Sequence, residues 1–185
     1  MSLSILTWII NALWLILVIY LAVSAIGVKP DTQDHFWQSS SLLLGIIVAF
    51  VLPHLSLFHF VNFAPLNPVV SILGVVLCVA GMILFVWARQ HLGRNWSQTV
   101  AIKQGHELVS SGPYRYIRNP MYTGGLVACI GSAIVAGGAW IFLLLILGGI
   151  FIWRVGAEDK LMAQQFPDEY PSYKKRTKAL IPFIW

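Results

Sequence analysis

Charge is what this sequence has least of. Only 10% of its 185 residues are Asp, Glu, Lys or Arg, against about a quarter in soluble domains. That shortage excludes an ordinary solvated globule, and the 58% hydrophobic content reads as a membrane protein. Cysteine is also sparse. Cys78 and Cys129 both lie in apolar runs, with no CxxC or Cys/His spacing, so neither a disulfide framework nor a zinc site is expected. Acidic residues, at 7, are outnumbered by 12 basic ones. The excess forms no nucleic-acid-binding stripe and speaks of membrane topology and anionic headgroups; nucleic acid is not an expected partner. The N-terminal apolar run lacks the positive region of a secretory signal and reads as a retained helix. No internal repeat or low-complexity tract is present.

What fills the chain is apolar runs long enough to cross about 30 Å of hydrocarbon. Leu3–Val28 is a first span without charge, and Lys29–Gln38 a short surface loop. Ser39–Phe63 is a second span, with Pro53, His54 and His59 in its second half, and Val69–Ala88 a third. A polar segment runs from Arg89 to Pro120. Met121–Val135 and Trp140–Trp153 then form a helical hairpin turning at Gly137–Gly138, followed by the tail Arg154–Trp185. The expectation is an all-α, polytopic membrane protein of five transmembrane helices, forming a single domain over 1–185. In it 1–88 is scaffold and 89–185 the catalytic region. Arg89, Arg94, Lys103, Arg115 and Arg118 lie before the hairpin, and Arg154, Lys160, Lys174, Lys175, Arg176 and Lys178 after it. By the positive-inside rule both groups are cytoplasmic.

The polar interruption Gly105–Gly125, GHELVSSGPYRYIRNPMYTGG, gathers the residue types suited to a site. Gly112–Pro113–Tyr114 is a turn followed by an aromatic. Asn119 precedes a proline and is pushed out of helical geometry; Pro120 can then open the next helix, whose first amides suit a polar or anionic ligand. On composition alone an ordinary interface loop explains the stretch equally well. A second polar group closes the last span: Arg154 and Glu158 are four apart and share a helix face, with Arg154 abutting hydrocarbon. An ionisable residue there marks a function or a buried pair, and a snorkelling anchor is the plainer alternative. Phe166–Arg176 fits a short interfacial helix, kinked or interrupted at Pro171.

Together these pieces resemble the isoprenylcysteine carboxyl methyltransferase family and its relatives among membrane phospholipid methyltransferases. The pattern H-x-L-V-x-x-G-P-Y-x-x-x-R-H-P-x-Y-x-G stands here as His106, Leu108, Val109, Gly112, Pro113, Tyr114, Arg118, Asn119, Pro120, Tyr122 and Gly124. The later R-x-x-x-E-E and F-G-x-x-Y-x-x-Y elements, with a closing proline, stand as Arg154, Glu158, Asp159, Phe166, Pro167, Tyr170, Tyr173 and Pro182. The match covers about Asn95 to Trp185. Asn119 replaces a family histidine, Asp159 shortens the second acidic position, and Pro167 replaces a glycine.

The resemblance implies S-adenosyl-L-methionine as cofactor. It would be held by His106, Glu107, Leu108, Val109, Tyr114, Asn119, Pro120, Met121, Tyr122 and Glu158, with Arg154 and Glu158 catalytic and Arg154 binding the acceptor. It also implies a lipophilic substrate drawn from the bilayer and no metal. The sulfonium is already an activated methyl donor, so the protein chiefly positions and desolvates. A carboxylate acceptor is ionised at neutral pH and needs a cation, not a base. A phospholipid amine or small-thiol acceptor would instead need Glu158 or His106 as base. A sterol-type reductase using a nicotinamide cofactor and a non-catalytic membrane module are the remaining alternatives.

Overall fold

The computed structural model describes residues 3–25, 67–96 and 107–181. Its helices are α1 (Leu3–Ser24), α2 (Pro68–Leu92), α3 (Pro120–Ala136), α4 (Ala139–Gln165) and α5 (Tyr170–Arg176), with 3-10 turns at Gly93–Asn95 and Gly112–Arg115. Among the described residues there is no strand, only an isolated parallel bridge between Ile117 and Lys178. Ile5–Ser24, Pro68–Asn95 and Ala139–Gln165 are long and apolar enough to cross a membrane, and Pro120–Ala136 is a shorter apolar helix. The expected second span, Ser39–Phe63, lies outside the described residues.

Local chemistry sets the helix ends. The Asn67 side chain accepts from the Val69 amide at 2.9 Å, and Pro68 occupies the first turn, where its missing N–H costs nothing. Consecutive glycines Gly137 and Gly138, with φ of 59° and 44°, make the tight turn between α3 and α4 that a side-chain-bearing residue would strain. Two boundaries differ from the hydropathy reading. α2 runs on past Ala88 to Leu92, and α4 does not stop at Trp153 but continues to Gln165. Apolarity ends at Arg154, yet most of the residues that follow are good helix formers, so the backbone continues where the hydrocarbon stops. Pro171 does not interrupt α5 either; it sits in the first turn, which needs no donor from it.

The bundle is built on a glycine seam. Gly74 and Gly81 of α2 face Gly131 and Gly124 of α3, antiparallel. A Cβ on Gly124 would lie 2.6 Å from the Gly81 carbonyl oxygen and 2.7 Å from the Phe85 nitrogen, while one on Gly74 would meet Val135 at 2.8 Å. Backbones that close are how membrane helices gain packing without a hydrophobic driving force. α1 joins through Leu6, Ile10 and Leu17, packed with Cys78, Met82, Ala128 and Trp140. Trp14 donates from Nε1 to the Ser132 hydroxyl at 2.9 Å and stacks on Trp140 at 5.2 Å. Ser132 donates onward to the Ala128 carbonyl at 2.8 Å.

Arg89, buried, bolts two helix ends together. It donates to the Ser24 carbonyl of α1 and, at 2.9 Å, to the Gly93 carbonyl beyond α2, with its guanidinium 4.3 Å from the Trp96 ring. A cation there stabilises the partial negative charge at both C-terminal helix ends. α1 and α2 therefore run parallel and α3 opposite to them. The C-terminal ends of α1, α2 and α4 and the start of α3 share one end of the bundle.

Candidate active site

The Gly112–Arg115 turn is wedged against α2. Gly112 has φ 57°, and an added Cβ would collide with the His91 ring, which bonds back to the Trp87 carbonyl through Nδ1 at 3.0 Å. The turn places Tyr114 in a cluster with Ala88 and Met121, flanked by Phe85, Leu92, Trp96 and Val109. Burial holds the Tyr114 phenol well above its ordinary pKa, so it stays a neutral group.

The C-terminal segment straps the start of α3. The Lys178 amide donates to Tyr116, the Arg118 amide to Lys178 at 2.7 Å, and the Asn119 amide to Ala179 at 3.1 Å. The Asn119 side-chain amide adds a bond to the same Ala179 carbonyl at 3.0 Å, and the Thr123 hydroxyl reaches the Leu180 carbonyl at 2.6 Å. Tyr173 completes the strap by donating to the Tyr114 carbonyl at 2.8 Å. Its phenol is pushed by burial up to about 12.

Two polar clusters lie side by side on α4. In the first, the Tyr122 hydroxyl sits between two charges. It accepts from Arg154 Nε at 2.8 Å and donates to Glu158 Oε1, while Arg154 Nη2 lies 3.2 Å from that same oxygen. Phe151 stacks on the Tyr122 ring at 4.5 Å and fixes its plane. The Arg154 and Glu158 side chains remain 21% and 27% exposed, so the triad is not sealed inside the bundle. Among the described residues nothing donates to Glu158 Oε2, which leaves an acceptor for ammonium or hydroxyl groups. In the second cluster Asp159 accepts from Arg118 at 3.2 and 3.3 Å, pairs with Lys174 at 2.8 Å and takes the Tyr170 hydroxyl. Arg118 also donates to the Thr177 carbonyl at 2.7 Å. This cluster anchors α5 to α4, with the Arg118 and Asp159 side chains nearly buried.

The residues expected from sequence are thus sorted. Arg154, Glu158 and Tyr122 come together, and Tyr114, Met121 and Val109 share the adjoining cluster. Pro120 is fully buried at the first turn of α3. Leu108 is half-buried and Glu107 exposed, while His106 lies outside the described residues. The Asn119 side chain donates into the strap rather than into open space. Phe151 carries no signal in the sequence beyond its apolarity, whereas Tyr173 stands in the F-G-x-x-Y-x-x-Y element without a role that the element assigns to its hydroxyl.

A family profile described as phospholipid methyltransferase matches residues 69–169. A probable protein-S-isoprenylcysteine O-methyltransferase of Oryza sativa subsp. indica is 25% identical over 166 residues, 88% of this chain and 82% of the relative. The protein-S-isoprenylcysteine O-methyltransferase of Schizosaccharomyces pombe is 33% identical over 112 residues, 58% of this chain and 47% of the relative. Among solved structures, a eukaryotic intramembrane Ras methyltransferase, isoprenylcysteine carboxyl methyltransferase, shares the fold with a TM-score of 0.58 at 23% identity. The alignment covers 83% of this chain and 55% of that one, so the chain spans little more than half the length of the solved relative.

Proposed function

The chain belongs to the phospholipid methyltransferase family, and from that premise we propose that it is an S-adenosylmethionine-dependent membrane methyltransferase acting on a lipophilic carboxylate of the isoprenylcysteine type. The observation that carries this reading is the Tyr122–Arg154–Glu158 triad, which joins the two motifs across the hairpin. The residues fit the cofactor's chemistry. Glu158 Oε2 is an open carboxylate acceptor for the ammonium or ribose hydroxyls of such a molecule. His106–Val109, Tyr114 and Asn119–Tyr122 supply the rest of the proposed binding wall, Asn119 through its strap and not through a side-chain contact. When bound, the cofactor supplies a methyl group already activated on a sulfonium.

The protein's own task is orientation. Arg154 brings an anionic acceptor to the membrane edge by directional, charge-assisted hydrogen bonds. Tyr122 and Glu158 hold the guanidinium in place, and the Phe151 stack holds Tyr122. A carboxylate arrives ionised and asks for no base. An amine acceptor would need one, and the guanidinium that Arg154 sets beside Glu158 at 3.2 Å repels a protonated amine. Five crossings and a cytoplasmic reaction face belong to the same reading. The gathering of basic residues at the triad's end of the bundle supports that face.

The test is calorimetry with S-adenosylhomocysteine and NADPH, followed by transfer of a radiolabelled methyl group to a prenylated cysteine analogue and to phosphatidylethanolamine. Binding of S-adenosylhomocysteine and a product that releases methanol in alkali are expected. NADPH binding without any response to S-adenosylhomocysteine overturns the enzyme class; an alkali-stable methyl on the lipid amine overturns the acceptor alone.

A further inference from the structure

The C-terminal helix carries a charge pattern that the methyl-transfer chemistry does not use. α5 turns Tyr170, Tyr173 and Thr177 inward, all three buried. From residue 170 to 181 every charged residue is a cation, Lys174, Lys175, Arg176 and Lys178. Lys174 is spent on Asp159. Lys175, Arg176 and Lys178 are exposed and have no acidic partner among the described residues. Arg115, exposed on the Gly112–Arg115 turn, adds a fourth cation beside them, because Tyr173 and Lys178 bond to Tyr114 and Tyr116 on either side of it. The nearest acids in sequence, Asp168 and Glu169, precede α5 and bound the patch at its other end.

The height of this patch above the hydrocarbon follows from α4. The exposed Trp153 is the kind of residue that marks a membrane interface. Asp159, which holds α5 through Lys174 and Tyr170, is six residues further along, a rise of about 9 Å. The headgroup layer of each leaflet is roughly 5–8 Å thick. α5 therefore lies at the outer edge of the headgroup layer, with Lys175 and Lys178 exposed and the Arg176 guanidinium 5.7 Å from the Tyr173 ring.

We infer that Arg115, Lys175, Arg176 and Lys178 form a docking surface for anionic phospholipid headgroups of the leaflet around the triad. Positive-inside bias would account for the sign of these charges. It does not account for their composite origin, one cation on the motif turn, two on α5 and one on the strap that bonds to that turn. A headgroup phosphate bridging Arg115 and α5 tightens the strap under Tyr114. The inference rests on the membrane placement of the chain and not on the identity of cofactor or acceptor.

The experiment reconstitutes the full chain in phosphatidylcholine bilayers containing spin-labelled phosphatidylglycerol or phosphatidylcholine and measures the relative association constant of the two lipids. Wild-type protein should prefer the anionic lipid, and the preference should fall with added salt. In Lys175→Gln/Arg176→Gln/Lys178→Gln it should drop by up to about fivefold per cation removed. Lys175→Gln alone, a substitution at an exposed position, reads the same effect in smaller measure if the triple variant folds poorly. No preference in the wild type, or a preference that survives the substitutions, overturns the inference. Neither outcome bears on methyl transfer, which the readout does not involve.

Discussion

Replacing Tyr122 with Phe removes one oxygen and tests the triad directly. That oxygen accepts from Arg154 Nε at 2.8 Å and donates to Glu158, so two charge-assisted bonds disappear together. Bonds of this kind contribute about 1.5–3 kcal/mol each. The side chains are 21% and 27% exposed, and water replaces part of what is lost. Arg154 Nη2 also keeps its contact with Glu158 at 3.2 Å, and the Phe151 stack survives. A net loss of about 2 kcal/mol remains, which is about 30-fold in an equilibrium constant. If Glu158 anchors the cofactor, much of that loss appears as weaker S-adenosylhomocysteine binding in calorimetry, and the remainder as a lower unfolding free energy in detergent. The decisive measurement is the cycle of Tyr122→Phe, Glu158→Gln and the double variant. Groups sharing one hydrogen-bond network couple by 0.5–3 kcal/mol, whereas independent sites add within about 0.5 kcal/mol. Additive losses in the cycle would refute the triad.

Three further expectations concern the frame around it. Gly81→Val drives a side chain into the α3 backbone and should cost about 3 kcal/mol in unfolding free energy by overpacking; Gly148→Ala, where nothing lies within 4 Å of the new methyl, should stay within about 0.5 kcal/mol. Asp159→Ala strands Arg118 and Lys174 without their anion. It should lower stability by about 3 kcal/mol and speed tryptic cleavage within Lys174–Lys178, read by mass spectrometry. Tyr173, raised to about 12, contributes stability that is complete below the unfolded tyrosine value of about 10 and lost as pH rises through about 12. Absorbance titration at alkaline pH should show this late step in the wild type and its absence in Tyr173→Phe.

The apolar helices α1, α2 and α4, the hairpin turn at Gly137–Gly138 and the shared face of Arg154 and Glu158 could all be read from spacing, because each depends on neighbours within a few residues. What could not be read depends on distance along the chain. Tyr122 enters the Arg154–Glu158 pair only because the hairpin returns α4 to the start of α3. Asn119 stands where the motif has a histidine, and the sequence does not say where its side chain goes. Its partner is a carbonyl at Ala179, 60 residues on, which no local pattern announces. Hydropathy ended α4 at Trp153 because it reports hydrocarbon, whereas the helix itself ends where Phe166 closes the last turn on Met162. The glycine seam was present in sequence as the same spacing on two helices, Gly74–Cys78–Gly81 and Gly124–Ala128–Gly131. Glycine read as a turn former conceals that use.

The seam and the strap together explain how a site at a membrane edge holds its geometry. The start of α3 carries both Asn119 and Tyr122, so any slide of α3 along α2 would move Tyr122 away from Arg154. Backbone contact between Gly81 and Gly124 resists that slide, since the carbonyl of one occupies the space where the other has no side chain. Rotation of α3 is opposed at its first turn, where Asn119 and Thr123 are tied to consecutive carbonyls of the tail. The tail is itself fixed to α4 through Asp159, one residue from Glu158. Displacing the tail therefore disturbs both walls of the triad at once, α3 through the strap and α4 through Asp159. Asp159, although it touches neither proposed ligand, is thus placed to act on both through the residues beside it.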